Sequence, residues 1–252
     1  NDRITAGNGT PETLDGGTGN DWLYTTTFSG NYNVNMITGV TNYAGESFVN
    51  FENIASGSGN DTITGTAGDN YIYAGGGNDL VRAGGGNDYV LGQDGHDRLY
   101  GENGNDRMFG QDGHDRLYGG AGNDSLYGGN GNDYIDSGTG ADIAYGGAGN
   151  DVIRSSGNGT FDGGTGNDYI YAATGSNETL NGGTGVDTLN TAHWSGDYTI
   201  DLATGDTNYG NERFINFENL TAGSGNDNLE GTSAANRIYS GGGNDTVDGE
   251  SG

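Results

Sequence analysis

The chain is expected to be all-β: a parallel β-roll, a β-helix-like solenoid, with two interrupting strand segments. Three observations carry this. Residues 56–154 divide into about eleven consecutive nine-residue units with no insertion or deletion, of which GQDGHDRLY (92–100), GENGNDRMF (101–109) and GQDGHDRLY (110–118) are typical. All follow one pattern, Gly-Gly-x-Gly-x-Asp-x-U-x, with U a large apolar residue. A nine-residue period is too short for a helix pair or a propeller blade, and nothing in the chain reads as a helix longer than one turn.

Averages alone would suggest disorder, because 55 of 252 residues are glycine, one is proline and only 30% are apolar. The strict period overrides that reading. A net charge of −27, with eight arginines and no lysine, should repel nucleic acid and anionic membrane surfaces and attract cations. No run approaches the roughly 18 apolar residues of a membrane span, so no membrane insertion is expected. With no cysteine there is neither a disulfide nor a thiolate metal site. The chain opens inside a unit at Asn1-Asp2, closes inside one at Gly249–Gly252, and shows no initiator Met and no leader. The expectation is a module of a longer protein.

Residues 1–86 align without gaps to 167–252 at a constant offset of 166, with about half the positions identical. The first copy of this long repeat occupies 1–55. It holds an irregular piece, 6–15, the unit 16–24 with Asp21, and a segment from Thr25 to Ala55 in which Tyr32, Val34 and Met36 alternate with Asn33 and Asn35. Period two with polar partners reads as a half-buried strand. Thr38-Gly39 is the expected turn and Phe48 to Ile54 the expected return strand, the whole laid against the solenoid as a long coil or hairpin. The main run, 56–154, follows. Residues 155–190 form an irregular junction in which the register slips by one between Ser155 and Asp162, read as a bulge or corner. Residues 191–221 repeat the insert, with Tyr198, Ile200 and Leu202 and then Phe214 to Leu220. Repeat units resume at 222–252.

Glycine at positions one, two and four of each unit permits φ > 0 and a tight turn that directs backbone carbonyls at one centre. Position six adds a carboxylate. Positions seven to nine form a three-residue strand whose middle side chain faces inward, so each unit buries one residue. Two units make an 18-residue coil, and like units stack at roughly the 4.8 Å strand spacing. One column then carries Asp61, Asp79, Asp97, Asp115, Asp133 and Asp151; the other carries Asn70, Asp88, Asp106, Asp124 and Asp142. Two carboxylates about 5 Å apart repel by roughly 3 kcal/mol at an effective dielectric of about 20, so empty columns should not close. A hard divalent cation reverses the sign. Six or more carbonyl and carboxylate oxygens are what Ca²⁺ selects, whereas zinc wants His or Cys. One buried side chain per nine ordered residues is a thin core, so metal binding should be coupled to folding.

The repeated motif resembles the RTX (repeats-in-toxin), hemolysin-type calcium-binding proteins, and eleven copies in register make the resemblance specific. The strand-turn-strand segments ending in "NFEN" are similar to pieces that interrupt such arrays in surface proteins. The resemblance implies Ca²⁺ between turns two units apart, held by the Asp of both turns and by glycine carbonyls. Carried onto this chain, first-position ligands are Gly92, Gly101, Gly110, Gly119, Gly128 and Gly146. Second-position ligands are Gly75, Gly84, Gly120, Gly129, Gly138 and Gly147. Fourth-position ligands are Gly77, Gly86, Gly95, Gly104, Gly113, Gly122, Gly131, Gly140 and Gly149. The main run would hold about nine ions, and Asp21, Asp168, Asp187, Asp227 and Asp245 extend the set to about nine to twelve. That brings about +18 to +24 against −27. The resemblance also implies export by type I secretion machinery and an extracellular, secreted or cell-surface location. The parent is expected among adhesins, surface-layer proteins, toxins and secreted enzymes.

Other positions carry paired readings. Asn70 and Asn236, at the sixth position, mark either weakened sites or empty turns closed by hydrogen bonds. His96 and His114 stack 18 residues apart, as a transition-metal site or, as expected, at an exposed fifth position open to any residue. Tyr73, Leu91, Phe109, Tyr127 and Tyr145 form an outward ladder, for sheet stiffening or for a polysaccharide or neighbouring copies. Arg98 and Arg116 read as charge compensation beside the acidic turns, and Trp22 and Trp194 as packing residues of the inserts. No HExxH, no GxSxG and no nucleophilic Cys occur, and His193 lacks a readable partner, so the chain is not expected to be an enzyme. The expected function is a calcium-dependent structural and secretion module, with a carbohydrate-binding module as the alternative.

Overall fold

The computed structural model describes residues 1–7, 11–155, 158–173 and 177–251. The described residues contain strands and turns and no helix. Two long sheets, of eleven and fourteen strands, face each other across a thin core, and a three-stranded sheet closes the C-terminal end. Successive units alternate between the long sheets. Leu80–Gly85 therefore pairs in parallel with Arg98–Asn103, and Tyr89–Asp94 with Arg107–Asp112, at an offset of 18 residues.

Eighth-position side chains from Ile63 and Ile72 through Leu99, Met108 and Leu117 to Ile153 are buried in one continuous column. Each contributes roughly 1.5–3 kcal/mol. The strands are longer than the three residues expected. Most in the main run have six, from position seven to position three of the next unit, with a second inward residue at position one. In the main run that slot holds only alanines, serines (Ser56 and Ser137) and glycines, because the unit's own aspartate and a carbonyl of the next coil leave no room for more.

The inserts are not laid against the solenoid; they are spliced into its sheet. Asn33–Asn35 pairs in parallel with Thr62–Thr64, then antiparallel with Val40–Thr41. The latter pairs antiparallel with Ser47–Val49, which returns to parallel pairing with Thr13–Asp15. The turn at Thr38-Gly39 stands, with Gly39 at φ 72°. The return segment is two strands rather than one. Ser47–Val49 lies in one long sheet and Asn53–Ala55 in the other, with a corner at Asn50 (φ 58°) between them. The second copy turns its corner at Asn216 (φ 57°). "NFEN" is thus a corner residue, a core residue (Phe51, Phe217, both buried), an acid and the first residue of the next strand.

The register slip at the junction is real. Val152 pairs with Tyr169 at an offset of 17, and Tyr169 with Thr188 at 19, so an eight-residue unit (155–162) and a ten-residue unit (172–181) flank one of nine. Phe161 fills the core there. Residues 156–157 and 174–176 of this junction, 8–10 of the irregular N-terminal piece, and Gly252 lie outside the described residues.

Candidate metal centre

The turns work by close approach. At position four, Gly113 has φ 147°, and a Cβ on it would lie 1.4 Å from the carbonyl oxygen of Gly95 in the coil beneath. Position two also has φ > 0, yet Gln93 (82°), Glu102 (73°) and Gln111 (80°) adopt it without glycine. Position one departs from expectation. Gly92, Gly101 and Gly110 do not have positive φ; they are glycine for space. A Cβ on Gly110 would lie 2.2 Å from Asp115 Oδ2 and 2.6 Å from the carbonyl oxygen of Gly128. The same cradle recurs at Gly101, beside Asp106 Oδ2 and Gly119 O, and at Gly146, beside Asp151 Oδ2 and Gly163 O. A missing methyl group leaves open the space that a carboxylate and a carbonyl of the next coil face together. At Ala74 and Ala83 a methyl group takes part of it.

The two aspartate columns form as expected. Each Oδ1 accepts the backbone N–H of the aspartate one coil earlier, so Asp79 N–H donates to Asp97, Asp97 N–H to Asp115 and Asp106 N–H to Asp124, each at 2.8 Å. The first column runs on through Asp151, Asp168 and Asp187. Each Oδ2 is the other half of the arrangement. In Asp21, Asp79, Asp88, Asp97, Asp106, Asp115, Asp124, Asp133, Asp151, Asp168 and Asp187 it is buried with no hydrogen-bond partner. Buried polar oxygens are normally satisfied. Burial, the largest cause, pushes these carboxyls up, to about 8 for Asp97, about 7 for Asp79, Asp88, Asp124 and Asp151, and about 6 for Asp133 and Asp187. Column neighbours add to the rise in most of them, as Asp79 and Asp115 do for Asp97. Asp61, Asp106, Asp115, Asp142 and Asp168 rise for the same first reason. Asp21 is the exception, held low chiefly by the Asp2 N–H.

Column ends differ. Asp61 accepts the Ser56 hydroxyl at Oδ2 and Tyr32 N–H at Oδ1. Asp227 accepts Tyr198 N–H, and Asp245, half-buried, accepts Asp227 N–H. Asn70 commits its whole amide: Oδ1 accepts Thr66 N–H, and Nδ2 donates to Glu52 O and Thr66 Oγ1. Asn236 repeats this with Thr232 and Glu218. Both are turns closed by hydrogen bonds.

Two features escaped the sequence. Position five tolerates Ala141 and Val186, which only donate their N–H groups to the coil before, but where it holds Asn, Asp or His the side chain accepts the N–H of position five one coil later. Asn60 takes Asn78 N–H, Asn87 takes Asn105 N–H, and the Nδ1 atoms of His96 and His114 take the N–H groups of His114 and Asn132. The His rings stack at 4.9 Å, and each Nδ1 is already occupied. The column acid is also sometimes Glu. Asp21 N–H donates to Glu52 Oε2, and Asp187 N–H to Glu218 Oε2, both at 2.8 Å. Elsewhere, Arg98 and Arg116 are exposed register partners that form no ion pair among the described residues. Trp194 is buried against Tyr198 inside its insert, whereas Trp22 lies in a repeat strand and packs on Tyr24 and Tyr73.

Among the described residues no three His, Cys, Asp or Glu side chains gather as a metal-binding cluster. The oxygen donors here are single carboxylates joined by backbone carbonyls. That set suits a hard cation of flexible, high coordination number.

Fold and turns together define a parallel β-solenoid whose turns present oxygen donors suited to hard cations. A family model described as the RTX calcium-binding nonapeptide repeat (4 copies) matches residues 6–26, 56–90, 82–117, 91–126, 109–144, 127–157, 153–189 and 221–252. The chain belongs to this family, and it is a calcium-binding RTX β-roll. No curated protein matches it.

Proposed function

We propose that this chain is a calcium-dependent folding and secretion module of a larger extracellular or cell-surface protein, without catalytic activity of its own. It leaves the cell unfolded through type I secretion machinery and folds where Ca²⁺ is millimolar. The observation that carries this is the row of buried, partnerless Oδ2 atoms, whose carboxyls burial pushes up, to about 6–8 in Asp79, Asp88, Asp97, Asp124, Asp133, Asp151 and Asp187. At neutral pH those groups favour the folded chain only when a cation neutralises them. About nine to twelve Ca²⁺ fit the stacked pairs, held by Asp21 and by Asp79 through Asp187 of the two columns, with Asp61, Asp227 and Asp245 at the ends and the glycine-turn carbonyls completing each set. Bound Ca²⁺ supplies charge neutralisation and cross-links successive coils.

Titration with Ca²⁺, against a Mg²⁺ control, followed by far-UV circular dichroism with a count of bound ions, tests the proposal. The expected result at pH 8 is a steep coil-to-β transition near millimolar Ca²⁺ with about ten ions bound. A chain already folded in excess chelator at that pH refutes the coupling.

The carbohydrate alternative gains less support. Phe109 and Tyr127 stack at 4.7 Å with planes 8° apart, Tyr127 and Tyr145 at 5.3 Å and 13°, and Arg107 covers Phe109. Rings that spend their faces on one another have little face left for a sugar. This ladder is better fitted to stiffening the sheet.

A further inference from the structure

Each insert carries what the main run lacks, an aromatic core of its own. Phe28, Tyr32, Val34, Met36, Phe48 and Phe51 are buried within residues 28–51, and Trp194, Tyr198, Ile200, Leu202, Phe214 and Phe217 within 194–217, at the constant offset of 166. The main run buries one large side chain per unit. The rings of each insert pack on one another. Phe28 lies 4.6 Å from Tyr32 and Tyr32 5.3 Å from Tyr43; Trp194 lies 4.2 Å from Tyr198 and Tyr198 4.6 Å from Tyr209.

Pairing within each insert is local as well. Asn33–Asn35, Val40–Thr41 and Ser47–Val49 pair antiparallel in chain order, and the second insert repeats this through bridges of Ile200 with Thr207 and Asp206 with Arg213. Short loops close such pairs at low entropic cost, whereas strands of the main run pair in parallel 18 residues apart. The turns that follow each insert close without a cation. Asp61 accepts the Ser56 hydroxyl and Tyr32 N–H, Asp227 accepts Tyr198 N–H, and Asn70 and Asn236 are held by Thr66 and Thr232. In residues 25–73 one buried side-chain oxygen is left without a hydrogen-bond partner, Glu46 Oε1, and the other oxygen of that acid accepts the Tyr32 and Thr41 hydroxyls. The units from Asp79 to Asp133 leave one each.

We propose that each insert, with the two turns that follow it, is a calcium-independent folding nucleus on which the calcium-dependent coils are laid. A parallel coil must close its loop before its contacts form, so the first coil is the costly one and an edge already in place removes most of that cost. The first insert supplies such edges to both long sheets. Thr62–Thr64 is paired with Asn33–Asn35 on one side and receives Leu80–Arg82 on the other, and Tyr71–Tyr73 is paired with Asn53–Ala55 and receives Tyr89–Leu91. The second insert stands beyond the far end of the main run, where Asn219–Thr221 pairs with Thr188–Asn190. The inserts set where the roll starts, and Ca²⁺ sets whether it extends. This division rests on the proposed calcium coupling of the main run but concerns the segments that do not need the ion.

The test uses the full chain at pH 8 in excess chelator. The chain has two tryptophans, and Trp22→Phe leaves Trp194, 1% exposed in the second insert, as the sole reporter. The expected result is Trp194 emission shifted to the blue and shielded from acrylamide relative to the urea-unfolded chain, while far-UV circular dichroism shows the main run unfolded. Emission equal to that of the urea-unfolded chain overturns the proposal. Rates give a second readout, by dilution from urea into Ca²⁺. Phe48→Leu with Phe214→Leu is expected to slow roll formation roughly threefold or more, whereas Leu117→Val in the main run leaves that rate unchanged and speeds unfolding. An unchanged rate for the insert variant overturns the proposal. Should the parent prove fully folded in chelator, it is the calcium coupling that fails, and the same comparison of rates, by dilution from urea into chelator, decides the nucleus.

Discussion

Asp97→Asn should change the sign of its effect with calcium. Asp97 is 1% exposed, its Oδ1 accepts Asp79 N–H, and its Oδ2 has no partner. Asparagine keeps the acceptor and removes the charge, as Asn70 does in the other column. The Asp97 carboxyl lies at about 8 in the folded chain, against about 3.9 when unfolded. At about 1.4 kcal/mol per pH unit, ionising it inside the calcium-free roll costs roughly 5 kcal/mol at pH 8. A handful of such groups exceeds the 5–15 kcal/mol by which a domain is ordinarily stable. Because the folded value is raised, folding takes up protons. Without calcium, stability is lowest above about pH 8, grows as pH falls through 8 to 6, and levels off near 4, where the unfolded chain is protonated too.

In excess chelator the parent chain is therefore expected to gain β-structure as pH is lowered from 8 to 5, and Asp97→Asn to do so at higher pH, needing one proton fewer. In saturating Ca²⁺ the order reverses. Asp97 faces both Asp79 and Asp115, so two ion positions lose a charged donor. Loss of even an outer-shell partner costs roughly 10–100-fold in metal affinity. The Ca²⁺ midpoint should rise at least that much and the urea midpoint fall. The assays are far-UV circular dichroism against pH in chelator and urea unfolding in Ca²⁺. A substitution that shifts stability in the same direction under both conditions would refute the argument that Oδ2 is the cation ligand.

Two further outcomes follow from the same geometry. Asp106→Ala is expected to raise the Ca²⁺ midpoint more than Asp61→Ala, because Asp106 is linked to both Asp88 and Asp124 whereas Asp61 already spends its oxygens on Ser56 and Tyr32; equal shifts, read by the same titration, would break the pairing. Gly113→Ala is expected to cost at least 1–3 kcal/mol in urea unfolding with Ca²⁺ present, since its φ is 147° and its Cβ would lie 1.4 Å from Gly95 O; a neutral result would mean that the coils stack more loosely than this.

The period of nine made the roll, its 18-residue coil, the eighth-position core and both aspartate columns legible, because one rule repeats and errors cannot accumulate. What the period does not contain was harder to read. Alternation at Tyr32, Val34 and Met36 identifies a strand but not its partner, and the insert's choice between lying on the sheet and entering it depends on pairing with Thr13–Asp15, a full insert away. Glu52 carried no role in the sequence reading, since glutamate in the slot before a strand breaks the Asp rule that defined the column. Position one was read as a conformational glycine, whereas the inward turn of a six-residue strand makes it a space requirement.

The fifth position shows why such a ladder stays invisible and why it matters. An exposed asparagine is compositionally neutral, but here its oxygen accepts from the coil after it while the neighbouring aspartate accepts from the coil before it. Each coil is thus gripped in both directions by side chains of adjacent residues, with a geometry that does not require metal. On the proposed function, calcium acts on the remaining aspartate oxygen together with the glycine-turn carbonyls. The division places all of the shape in neutral hydrogen bonds and all of the conditional energy in Oδ2. Removing the ion should leave the register unchanged wherever the roll persists, and alter only how far it persists at a given pH.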